Sequence, residues 1–199
     1  MSDEQRSLQA YVSDMLALER HIRIPFETQA KDDDFSKYPQ SGALVQQILD
    51  QSKRHIGALE AELNQLGGNA ADPVKSAVSQ FEGFFAGAID MIRKTKVSKG
   101  LRDDYTALAL CTAGYTLLQT TAVALGNSTV AKLAQRHLSD YAQSVMAIGQ
   151  ALPEVALREL SDIGVGVATE AATAARQSAK EAWQSSPATN TNAATTGVA

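Results

Sequence analysis

At 199 residues the chain is long enough for one domain with a true core and room for an appendage. Hydrophobic residues make up 44% and charged residues 20%, an ordinary globular balance, and a net charge of −4 leaves no surplus of cations for nucleic acid. The single Cys111 excludes an internal disulfide, and no basic stretch runs into an apolar core at the start, so the expected compartment is the cytoplasm.

Ser2-Asp3-Glu4 places acids ahead of an amphipathic run, a helix start. Leu8, Tyr11, Val12, Met15, Ile22 and Phe26 follow at helical spacing, and Glu19 falls on the same stripe. Pro25 is expected to kink or end this helix, and Lys31-Asp32-Asp33-Asp34 to lead into a loop through Tyr38-Pro39. Ser41-Gly42 opens a second helix with Val45, Ile48, Ile56, Leu59 and Leu63 on one face, Ser52 and His55 on the inward stripe, and a stop at Gly67-Gly68. Asp72-Pro73 is a start signal for a third, carrying Val74, Val78, Phe81, Phe84, Phe85, Ile89 and Ile92 towards Lys99-Gly100. The basic cluster Arg93-Lys94-Lys96-Lys99-Arg102 is a solvated helix end whose cations offset the helix dipole.

The fourth segment, Tyr105–Gly126, organises the rest. No charged residue occurs between Asp104 and Lys132, and the segment holds five Leu, five Ala and five Thr. A surface helix keeps a polar, charged face, so this one is expected to be enclosed by its neighbours. It is long enough to cross a membrane, but five Thr, Gln119 and two Gly dilute its apolarity, and no second segment resembles it, so a membrane role is not expected. Gly126-Asn127-Ser128 ends it and caps a fifth helix with Val130, Leu133, Leu138, Tyr141, Val145 and Ile148 in helical repeat; Pro153 is expected to begin a separate segment. Val167–Trp183 is a candidate Ala-rich helix that buries little, and Ser185–Ala199 has the composition of a disordered tail. With no strand-like alternation, the class is all-α. The expected division is a bundle over 1–160, an appended helix over 161–184 and a tail over 185–199.

Glu19, His55 and His137 each lie near the middle of a separate helix and on or beside its apolar stripe. Helices of about 24 residues are roughly 36 Å long, so antiparallel midpoints meet at one level. Ser52 and Asp140 lie one turn away. Glu19, His55, His137 and Asp140 are therefore the candidate metal ligands, for iron, manganese or zinc. Di-metal carboxylate bundles place a Glu on each of two helices and Glu-x-x-His on each of the others. Here Ser52-x-x-His55 has a serine in the carboxylate position, and His137-x-x-Asp140 reverses the order. The centre of the fourth helix offers only Leu108, Cys111 and Thr112. The competing reading pairs Glu19 with His55, or with Arg20 and Arg23, as a buried structural charge. Cys111 reads as a buried structural thiol, and Tyr115 and Tyr141 either reach the polar layer or serve as core aromatics.

Phe81-Glu82-Gly83, Leu101-Arg102-Asp103-Asp104, Gly114-Tyr115 and Ala124-Leu125-Gly126 carry a resemblance to the YciE/YciF-type branch of the ferritin-like superfamily, which are bacterial stress-associated bundles. Leu18-Glu19, and the run from His55 through Leu59 to Leu66-Gly67, fit it as well. The resemblance spans roughly residues 5–155 and implies a ferritin-like four-helix bundle with an extra helix. It also implies paired glutamates on the fourth helix, where this chain has Leu108 and Cys111. Likewise an acidic pair becomes Asp140-Tyr141, and a glutamate ahead of the second-helix histidine becomes Gln51. The expectation is a non-enzymatic, stress-associated, self-associating cytoplasmic bundle with no cofactor, the alternative being a metal-binding protein or oxidoreductase using the reduced ligand set. No partner is legible for the C-terminal helix.

Overall fold

The computed structural model describes residues 2–70 and 96–185. The expected third helix, with Phe81-Glu82-Gly83, and the tail beyond Ser185 lie outside the described residues. Among the described residues every regular element is a helix: α1 Asp3–Gln29, α2 Asp33–Ser36, α3 Pro39–Gln65, α4 Val97–Ala124, α5 Ser128–Asp162 and α6 Ala171–Gln184.

Ser2 caps α1 through a reciprocal box with Gln5, each side chain bonding the other's backbone N–H. The helix continues through Pro25 to Gln29, so Pro25 does not end it. Proline forfeits one backbone bond at a cost of about 3 kcal/mol. Ile22 and Phe26, flanking it, are both fully buried, and each such side chain stabilises by about 1.5–3 kcal/mol, enough to hold the helical path. The expected loop after α1 contains a single helical turn, α2, capped by the Asp32 carboxylate on Asp34 N–H at 2.7 Å and pinned by buried Phe35. Pro39 occupies the first position of α3, two residues earlier than Ser41 suggests. That helix ends where Gly67 takes φ +80° and Gly68 N–H returns to Leu63 C=O at 2.9 Å.

Along α4 a narrow stripe is buried: Leu101, Asp104, Leu108, Cys111, Tyr115, Leu118 and Ala122. The opposite face is open, with Leu117 58% and Val123 64% exposed. The expectation of full enclosure is therefore corrected. The face stays uncharged because threonine supplies its polarity: Thr106, Thr116 and Thr120 hydroxyls bond carbonyls four residues back on their own helix. By length and composition α4 would suit a membrane span, as core helices also do, and the chain offers no second such helix among the described residues.

Gly126 at φ +69° turns the chain, and the Asn127 side chain caps α5 on Val130 N–H at 3.0 Å. Pro153 does not start a new segment; α5 continues through it to Asp162. The chain divides into two compact units, 1–148 and 149–199. In the first, α1, α3, α4 and α5 as far as Ile148 pack together as a four-helix-bundle-like arrangement. There α1 lies against both α3 and α4, and Gly114 makes the close approach possible: a Cβ at that position would sit 2.6 Å from Met15 Sδ. In the second unit Gly164 (φ +79°) ends the α5 run, α6 starts at Ala171 rather than Val167, and Arg176 reaches Gln150 C=O and the Glu154 carboxylate.

Candidate polar centre of the bundle

Four helices each present a polar side chain to one level of the first unit. Glu19 comes from α1, Ser52 and His55 from α3, Tyr115 from α4, and His137, Asp140 and Tyr141 from α5. Each sits at the three- or four-residue spacing of its helix's apolar stripe, so the packing that buries the stripe also buries these groups, apart from Asp140 at the edge.

Glu19 is the hub and is fully buried. Its Oε1 accepts from Tyr115 Oη at 2.5 Å and contacts His55 Nδ1 at 3.0 Å. Its Oε2 accepts from Tyr141 Oη at 2.5 Å and Ser52 Oγ at 3.0 Å. Two oxygens therefore take four donors, the full capacity expected of a carboxylate. His55 uses both ring nitrogens, with Nε2 standing 3.0 Å from Asp140 Oδ2. With a carboxylate oxygen beside each ring nitrogen, His55 bridges Glu19 and Asp140. Asp140, its side chain 41% exposed, brings this chain of bonds to the surface.

His137 lies flat on His55, ring centroids 3.8 Å apart and planes 15° apart. The hydroxyl hydrogen of Tyr115 is committed to Glu19, so at 3.1 Å it is His137 Nδ1–H that donates and Tyr115 Oη that accepts. That tautomer is neutral. Burial, then the adjacent His55 charge and Arg136, push the His137 pKa down to about 3. Burial and the Glu19 charge raise the Tyr115 and Tyr141 hydroxyls well above their usual range, and raise the Cys111 thiol in the same way. The thiol is therefore neutral and structural. One turn along, Ser144 Oγ donates to Gln51 Oε1 at 2.9 Å.

All four candidate ligands thus converge, together with Ser52, and Glu19 pairs with His55. Arg20 instead holds Glu60 and Ala70 C=O, and Arg23 holds Glu27. The role of the two tyrosines as hydroxyl donors to one carboxylate was only half legible; their place on buried stripes was the available signal. Among the described residues no group of three or more His, Cys, Asp or Glu is arranged to hold a metal ion. The geometry explains this. Stacked imidazole planes cannot aim two lone pairs at one point, and Glu19 has no oxygen lone pair free of a hydrogen bond. On α4, where the resemblance implies glutamates, Leu108 and Cys111 are fully buried and neutral. As arranged, these residues do not fit a metal pair.

No family model matches this chain, and no curated protein matches it. The fold does have a solved likeness in a protein from Xanthomonas campestris pv. campestris. The two are 15% identical and superpose with a TM-score of 0.67 over 82% of this chain and 100% of that one. At that identity the likeness is one of fold alone.

Proposed function

We propose that this chain is a non-enzymatic, stress-associated protein of ferritin-like descent, close to the YciE/YciF type, in which hydrogen bonds hold the layer that a metal pair would otherwise organise. The observation that carries the reading is the saturation of Glu19: two hydroxyls at 2.5 Å, a third at 3.0 Å and the His55 ring occupy both oxygens. A metal at this level would have to displace those donors and would find one or two carboxylates where two irons need about four to balance their charge. The layer's contribution is then rigidity, fixing four helices in one register.

The exposed face of α4 supports self-association. Leu117 and Val123 stand open among threonines whose hydroxyls are occupied by their own backbone, so partners would meet methyl groups without stranding polar atoms. In this reading the protein is cytoplasmic and the Ala-rich helix α6, Ala171–Gln184, is an appendage.

Metal analysis of protein purified without chelator tests the proposal. The expected result is no stoichiometric metal and a melting temperature unmoved by added iron, manganese or zinc. Stoichiometric retention of one of these, abolished in Glu19→Ala or His55→Ala, would replace the reading with that of a metal-binding protein or oxidoreductase.

A further inference from the structure

A second buried polar pair lies away from the Glu19 layer, where the end of α1 meets the beginning of α4. Gln29 and Asp104 are both buried, and Gln29 Nε2 donates to Asp104 Oδ1 at 2.9 Å. The two remaining oxygens of the pair, Gln29 Oε1 and Asp104 Oδ2, have no hydrogen-bond partner. The surroundings are tight: a Cβ on Gly100 would come within 3.0 Å of the Phe35 ring and 3.5 Å of Gln29 Nε2, so Gly100 lets α4 pack closely against both.

An amide and an ionised carboxylate joined by one bond leave two buried acceptors unpaired, each costly to strand. A single hydrogen on Asp104 Oδ2 removes that deficit, because the acid then returns a bond to the amide oxygen. We propose that Asp104 is a carboxylic acid in the folded protein, closing a two-bond acid–amide pair with Gln29 that latches α1 to α4 and releases when the acid ionises.

The surrounding charges favour the acid. On its own helix Asp104 neighbours Asp103, whose carboxylate repels a second charge and is itself held by Arg102 at 2.7 Å. From α1 the group in contact is the Gln29 amide, which is uncharged. From α2 it is the Phe35 side that approaches, and Asp33 and Asp34 are exposed to solvent. No cation pairs with Asp104 among the described residues. Burial, set against the Gln29 bond and joined by the Asp103 charge, pushes its pKa up to about 8, within reach of mild alkali.

The test compares wild type with Asp104→Asn by thermal unfolding from about pH 6 to about pH 9.5, a range that spans the Asp104 transition. Asparagine presents the same donor and acceptor as the protonated acid but cannot ionise. Wild type should lose several degrees across that range; D104N should stay level and melt above wild type at the alkaline end. Infrared difference spectra of wild type against D104N give a second readout independent of stability. A protonated-carboxyl band should be present near neutrality and absent in alkali. Hydrogen exchange should show the α1–α2 corner opening over the same interval. A wild-type melting curve level with pH, or a carboxylate band for Asp104 at neutrality, would overturn the latch. So would selective stabilisation by sodium or potassium, which would put a cation between the two oxygens instead.

Discussion

Removing one hydroxyl at a time from the Glu19 layer measures what the hydrogen bonds contribute. Tyr141→Phe deletes a single oxygen from a fully buried ring and leaves its shape otherwise unchanged, so the packing term is small. What is lost is the short bond to a charged acceptor, worth about 1.5–3 kcal/mol, while Ser52, which also meets the Tyr141 hydroxyl, keeps its own bond to Glu19. No water can replace it at a site with no exposure. Tyr115→Phe loses the same kind of bond to the other oxygen, and in addition strands the His137 N–H that Tyr115 Oη accepts. A buried donor without a partner costs about 1–3 kcal/mol more. Tyr115→Phe should therefore be the worse of the two, by about 1 kcal/mol or more. For a chain of this size each kcal/mol moves the melting temperature by about 2–4 °C, so Tyr141→Phe should melt roughly 3–12 °C below wild type. Urea unfolding followed by circular dichroism, checked by calorimetry, gives both numbers. If either variant lies within about 0.5 kcal/mol of wild type, the scale of a surface substitution, or if Tyr141→Phe is the more damaging, the account of Glu19 as a saturated hub is wrong.

Acid should expose His137. Its folded pKa of about 3 lies below the ordinary 6.5, so below that point the unfolded chain takes a proton the folded chain refuses, and stability falls by about 1.4 kcal/mol per pH unit. Asp104 has the opposite sign: raised from 3.8 to about 8, its contribution is complete below the lower value and lost as pH rises through the upper one. Over the interval the two share they offset each other, so wild type should hold a plateau in mild acid and fall only in stronger acid, whereas D104N should already decline once pH drops below the ordinary histidine value; melts across a pH series distinguish the two. Gly57 sits inside α3 with open space around its missing Cβ, so Gly57→Ala should stabilise by about 0.5–1 kcal/mol, read as a small rise in melting temperature.

Helix-by-helix, the primary structure alone determined the class, the turn at Gly126-Asn127, the stop at Gly67 and the residues that face inward, because burial on a helix is written as a spacing of three and four. The meeting of Glu19, His55, His137 and Asp140 was legible for the same reason, since mid-helix positions on inward stripes share a level. Proline and charge misled. Pro25 and Pro153 read as breaks because the lost backbone bond is local, while the burial that carries α1 past Pro25 depends on partners distant in sequence. The absence of charge on Tyr105–Gly126 read as enclosure because threonine's polarity counts as none at that level, yet on a helix its hydroxyl finds the carbonyl one turn back and its face can meet water. Packing alone decided how Glu19 is used. Whether a buried carboxylate accepts three hydroxyls beside an imidazole or binds a cation depends on where tyrosines from two other helices place their oxygens, and on two imidazoles lying flat rather than converging. Gln29 and Asp104 belong to what packing decided: that they are buried and joined by one bond, with two oxygens left over, follows only from how α1 meets α4.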